Sequence, residues 1–149
     1  MAAAPMRSID EAKAVAGRGL EGDRYFLGKG YYSKSPIAGG RDITLIAVET
    51  VEALSRDLQK GAPDPAGIRL TAADTRRNIA TSGVPLADLV DRDFSVGRVL
   101  LRGTRFCEPC RYLEEMTYPG VFAGLLRRGG LRAQILNEGV IRVGDLVRP

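Results

Sequence analysis

The chain has 149 residues, enough for one domain with a real core but short of two ordinary ones. A hydrophobic fraction of 44% with 27% charged residues is that of a water-soluble globular protein, and no apolar run reaches the roughly 18 to 20 residues that span a bilayer, so no membrane partner is expected. Net charge is only +4, aromatic residues are few, and there is no basic block, which argues against a nucleic-acid surface. Arginine outnumbers lysine, and its planar fork suits phosphate or carboxylate, so an anionic small molecule is the expected partner class. The opening Met1 to Arg7 lacks the basic-then-apolar order of a secretory signal, and a cytoplasmic protein is expected. The chain contains no histidine, which removes the usual general base and the usual zinc ligand.

In chain order, the first coherent motif is Gly19-Leu20-Glu21-Gly22-Asp23-Arg24. Its glycines imply a tight turn with positive φ or a close backbone approach, with Arg24 either aimed into a cleft or solvated. Residues 28–42, rich in glycine, serine and tyrosine, have little to bury and read as a mobile loop, a lid over an anionic ligand. They lack the Gly-Lys-Ser/Thr order of a P-loop. Ile43 to Val48 has the β-branched run of a buried strand. Glu49 to Gln59 then changes period, with Val51, Leu54 and Leu58 on one helical face, and Gly61 to Pro65 ends that helix.

A second arginine motif, Thr75-Arg76-Arg77-Asn78-Ile79-Ala80-Thr81, reads as a short strand entered through paired arginines. Arg76 and Arg77 are able to clamp an oxyanion, and Asn78 both donates and accepts. Val84 to Val90 fits a helical turn opened by Pro85. Phe94 to Arg102 reads as one long strand with a bulge or turn at Gly97. Val121 to Arg128 reads as a helix closed by Gly129 and Gly130, and Leu131 to Leu136 as a half-buried strand. Asn137-Glu138-Gly139 is expected to turn that strand into a hairpin with Val140 to Val143, and Gly144-Asp145 turns again before Leu146 and Val147. Short strands, glycine turns and a few interposed helices imply a mainly β fold with peripheral helices, a barrel or rolled sheet, in a single domain.

Both cysteines lie in Gly103-Thr104-Arg105-Phe106-Cys107-Glu108-Pro109-Cys110-Arg111, between an expected strand and an expected helix. A closed zinc site would need two further soft ligands, and the chain has neither another cysteine nor a histidine. The pair can be a thioredoxin-type redox couple, a structural disulfide, two buried small hydrophobes, or a thiolate acting as nucleophile, sulfur carrier or metal ligand. Arg105, Arg111 and the amides of a helix beginning near Pro109 would favour the thiolate, whereas Glu108 would oppose it.

Five segments in register resemble the MOSC domain, found at the C-terminus of molybdenum-cofactor sulfurases, in amidoxime-reducing molybdoenzymes and in stand-alone bacterial proteins. They are Gly19 to Arg24, Arg41-Asp42-Ile43-Thr44-Leu45-Ile46, Thr75 to Thr81, Gly103 to Cys110, and Ile141-Arg142-Val143-Gly144-Asp145-Leu146-Val147; the match runs from about residue 18 to residue 149. The resemblance implies a β-barrel-like fold that binds a molybdenum cofactor (molybdopterin) or handles sulfur for it. It implies Cys110 as the hallmark cysteine, ligating molybdenum or carrying a persulfide, with Cys107 as a second sulfur or as packing. It further implies Arg24, Arg41, Arg76, Arg77 and Asn78 around the phosphate of an anionic pterin cofactor. Tyr25 stands where many stand-alone relatives carry a histidine, so histidine-dependent proton transfer is not expected. The sequence shows neither the extra N-terminal β-domain of the amidoxime reducers nor a pyridoxal-phosphate domain, so electrons or sulfur are expected from a donor protein. The implied chemistry is sulfur transfer or reduction of N-hydroxylated compounds. The alternatives are a non-catalytic binding module for an anionic small molecule and a thiol-disulfide protein using Cys107 and Cys110. Oligomeric state is open between monomer and homodimer.

Overall fold

The computed structural model describes residues 9–21 and 42–149. Among the described residues nine strands and three α-helices follow in the order β1 (Glu11–Val15), β2 (Gly19–Leu20), β3 (Ile43–Ala47), α1 (Val48–Lys60), β4 (Ile79–Thr81), β5 (Asp93–Val96), β6 (Val99–Phe106), α2 (Arg111–Met116), α3 (Val121–Leu125), β7 (Leu131–Ile135), β8 (Gly139–Arg142) and β9 (Val147–Arg148). Six strands form one sheet in the order β4-β3-β7-β6-β5-β9, antiparallel except for β3 beside β4. The sheet curls until its two ends nearly meet. Gly83, Val84, Pro85, Asp88 and Leu89, just beyond β4, and Val147 and Pro149, at β9, line one cleft of about 450 Å³ that marks the seam of this barrel-like sheet. A smaller sheet, β2-β1-β8, stands beside it.

Alternation along β3 assigns the two faces of the large sheet. Ile43 and Leu45 are fully buried inside the barrel with Phe94, Val99, Leu101, Leu131, Ala133 and Ile135. Ile46 points the other way, into a second apolar cluster with Val51 and Leu54 of α1, Leu70, Leu113 of α2, and Val121 and Leu125 of α3. Each such side chain contributes about 1.5–3 kcal/mol of burial, so both faces of β3 are committed to cores. The helices thus cover only one part of the outer face. α1 has no side-chain N-cap and depends on this apolar stripe, and its buried Ser55 hydroxyl accepts the Leu70 amide at 3.1 Å. The Gly83 amide donates to Glu49 at 2.7 Å, a bond that holds the exposed Glu49 carboxyl below the usual carboxylate range.

Several expectations hold. Gly19 has φ +101, and a Cβ there would come within 2.6 Å of the Asp42 carbonyl oxygen, so the first glycine of its motif serves both positive φ and close approach. The helix after β3 and the proline-opened turn at Leu86–Leu89 form as read. Others are corrected. Phe94 to Arg102 is not one long strand: of the bulge or turn read at Gly97 the turn forms, at φ +59, and folds the segment into a hairpin, β5 against β6. The helix begun at Val121 stops at Leu125, and Arg127 adopts φ +64 before Gly130. The expected hairpin after β7 does not form, because β8 leaves the barrel and pairs with β1. Two-residue alternation is satisfied by either partner, so β8 carried no signal for the distant one. β1 itself was missed, as its Ala12, Lys13 and Ala14 have weak strand preference.

One tight point of the sheet is Gly103 in the middle of β6. Its amide donates to the Arg92 carbonyl and its carbonyl accepts from the Asp91 amide, both at 2.9 Å. A Cβ there would sit 2.0 Å from the Leu89 carbonyl oxygen. Backbone cannot yield as a side chain can. Gly103→Ala is therefore expected to lower stability by about 2–3 kcal/mol, the upper range of overpacking, read as a lower urea midpoint at unchanged slope.

Candidate functional site

β6 and β7 lie side by side until Phe106 faces Leu131, and there the two chains part. One further rung follows: the Cys107 amide donates to the Gly130 carbonyl at 2.8 Å. Cys107 is only 2% exposed. The crossing segment admits little but glycine. A Cβ on Gly129 would lie 2.3 Å from the Cys107 carbonyl oxygen, and one on Gly130, at φ +110, would lie 2.0 Å from the Leu45 carbonyl oxygen. On the other side of the crossing the Glu108 carboxylate accepts the Arg127 amide at 3.0 and 3.3 Å. Glu108, read from the sequence as a charge opposing a thiolate, is engaged in holding this turn.

Arg77 closes the arrangement. Its Nε donates to the Gly129 carbonyl at 2.8 Å, and its Nη2 donates to the carbonyls of Cys107 and Glu108, each at 3.3 Å. The guanidinium fork suits such divergent acceptors in a way an ammonium does not. Asn78, the next residue, works on the neighbouring strand. Its Oδ1 accepts the Thr44 amide at 2.8 Å and the Thr44 hydroxyl at 3.0 Å, while its own amide donates to that hydroxyl at 3.0 Å. Arg76, half-buried at φ +60, ends the 3₁₀ turn at Ala73–Thr75. The motif read as an anion clamp thus brings β4 into register with β3 and reaches across to the cysteine loop. Arg24 and Arg41, with Tyr25 and the 28–41 segment, lie outside the described residues.

The two cysteines differ in surroundings. Both sulfurs are free, with Cys107 enclosed and Cys110 partly exposed. Buried Pro109 separates them. Cys110 is extended at φ −124, ψ 162, and its carbonyl accepts the Leu113 amide at 3.1 Å to start α2. Its side chain rests on the second apolar cluster. Glu114 of α2 accepts the amides of Gly120 and Phe122 at 3.0 and 2.9 Å, which locks α2 onto α3. Arg111, expected beside the thiolate, stacks 5.0 Å over the Phe122 ring. The loop therefore leaves Cys110 partly exposed and keeps Cys107 enclosed. The sequence signals for this, Gly129-Gly130 and Arg77, were legible only as a helix stop and a clamp.

The MOSC domain profile matches residues 34–148, from before β3 through β9. The chain belongs to the MOSC domain family. Its fold is shared with YuaD of Bacillus subtilis at 20% identity and a TM-score of 0.72, over 95% of this chain and 85% of that one. It is similar to YiiM of Escherichia coli at 16% identity and TM-score 0.68, over 94% of this chain, and to YiiM of Geobacillus stearothermophilus at 19% and 0.60, over 73%. The MOSC chain spans 62% and 54% of the length of those two YiiM chains. A comparison with curated protein sequences gives no significant match. No helix among the described residues is long and apolar enough to cross a membrane.

Removing Arg77 would leave three carbonyls short of donors, those of Cys107 and Gly129 within buried residues. Arg77→Met is expected to lower stability by about 2–4 kcal/mol, and Arg77→Lys to recover only part of that. Urea denaturation measures both; a loss under about 1 kcal/mol in Arg77→Met would show that the crossing holds without the guanidinium.

Proposed function

We propose that this MOSC protein binds a molybdopterin-type molybdenum cofactor and that the sulfur of Cys110 serves it, as a ligand to molybdenum or as the carrier of a persulfide. The observation that carries this reading is the contrast within the cysteine pair. Cys110 is partly exposed on a loop fixed from three sides, whereas Cys107 is enclosed. The donor set fits the group: a soft sulfur suits molybdenum, and arginines suit a pterin phosphate. Arg24, Arg41 and Arg76 are assigned to that phosphate, while Arg77 and Asn78 hold the frame. When bound, such a cofactor supplies redox chemistry at its metal.

What the chain's own residues contribute is position. The Gly129–Gly130 crossing and the Arg77 tie fix the backbone through Glu108, two residues before Cys110. A preorganised ligand is not reorganised at the moment of reaction. The enclosure of Cys107 weighs against a reversible Cys107–Cys110 disulfide and for a single working sulfur. The activity assigned is sulfur transfer, or reduction of N-hydroxylated compounds with electrons from a donor protein, in the cytoplasm.

Molybdenum analysis tests the reading on protein made in a host with verified cofactor supply. Wild type is expected to carry close to one metal per chain. Cys110→Ser is expected to lose most of it, and Cys107→Ala to keep it. Metal retained in Cys110→Ser, or absent from wild type, would overturn the assignment.

A further inference from the structure

A β-bulge decides which face of the sheet Arg105 occupies. Leu101 stands opposite Ile135 and Gly103 opposite Ala133; the register then slips, and Arg105 rather than Thr104 stands opposite Arg132. Opposed residues of an antiparallel pair project on the same side, and neighbours along a strand alternate. Leu131 and Ala133 both belong to the barrel interior, so Arg132 between them lies on the outer face. The slip brings Arg105 to that face beside it. In an unslipped strand Thr104 would hold the place. Re-aiming a side chain is what bulges near functional sites do. On the opposite side of Arg132 the same row continues with Thr44 of β3. Ile46, the next outward residue of β3, packs in the cluster on which Cys110 rests. The two arginines and Cys110 thus share the outer face.

Two guanidinium groups directly opposed across a strand pair repel each other. Nothing among the described residues offsets this. The ion pairs there are Arg102 with Asp93 and Arg142 with Glu11, and neither Arg105 nor Arg132 has a carboxylate partner. The displaced Thr104 hydroxyl donates to the Arg132 carbonyl at 3.0 Å, which pins the bulge and with it the doubled charge. Arg105 is exposed and Arg132 half-buried, so both are within reach of a ligand from solvent. Adjacent guanidinium forks match the oxygens of a tetrahedral dianion.

We propose that Arg105 and Arg132 form a clamp for the terminal phosphate of a phosphate monoester, on the face that carries Cys110. That the natural ligand is the cofactor's phosphate arm, held by this clamp in addition to the arginines assigned to it above, rests on the cofactor reading; the clamp itself does not. The test uses cofactor-free protein, titrated calorimetrically with inorganic phosphate and with phenyl phosphate against chloride at matched ionic strength. Both anions are expected to bind wild type. Arg105→Gln and Arg132→Gln are each expected to weaken binding about tenfold, and the double variant to abolish it. Arg98→Gln, in the turn at the far end of β6, is expected to bind as wild type does. In chloride alone Arg132→Gln is expected to melt no lower than wild type, since it relieves repulsion; a residue needed only for the fold would melt lower. A preference for phenyl phosphate assigns the clamp to an esterified ligand, and equal binding assigns it to free phosphate as well; either supports it. Absence of binding to wild type, or binding that survives in the double variant, overturns it. Phosphate binding without molybdenum retention would sink the cofactor reading and leave the clamp, and the reverse pattern would do the opposite.

Discussion

The guanidinium of Arg77 ties together two segments that are otherwise joined by one ladder rung and by the Glu108 carboxylate on the Arg127 amide. One is the cysteine loop leaving β6, the other the glycine pair entering β7, and their ladder has a single rung beyond the last strand residues. Both are backbone that has left a sheet, so their carbonyls would face a cost of a few kcal/mol each if buried without donors. Arg77 supplies donors to three of them from a third segment, the approach to β4. The glycines make the approach sterically allowed and Arg77 makes it favourable. Everything that distinguishes Cys107 from Cys110 follows from where this crossing is fixed.

Much of the barrel was legible in the sequence because its signals are local. The β-branched run of β3, the period change into α1, and the glycine turn at Gly97 each act over a few residues. What could not be read is pairing over distance. β8 satisfies its alternation equally against β7 or β1, and only the assembled barrel, which leaves no room beside β7, selects β1. The bulge in β6 is another such case. Nothing in Gly103-Thr104-Arg105 says which of the last two faces Arg132, because the slip is imposed by the partner strand.

The site was half legible for the same reason. Residue types pointed to a cysteine loop with arginines, and five short motifs in order pointed to the MOSC family that the profile over residues 34–148 shows. Roles did not follow from types. Arg77 and Asn78 have the chemistry of ligand-binding residues and are also engaged within the protein, since an oxygen of the protein's own main chain competes on equal terms with one from a ligand. Conversely Arg132 reads as an ordinary outward strand residue and becomes notable only beside Arg105. A charge on a sheet acquires meaning from its cross-strand neighbour.

The fold leaves Cys110 partly exposed and encloses Cys107. Timed alkylation of cofactor-free protein with iodoacetamide, with the modified positions located by peptide mass spectrometry, tests it most directly. Cys110 should react in the native state, and Cys107 roughly a hundredfold more slowly, at the rate set by opening of the Gly129–Gly130 crossing. Equal rates, or Cys107 reacting first, would contradict it.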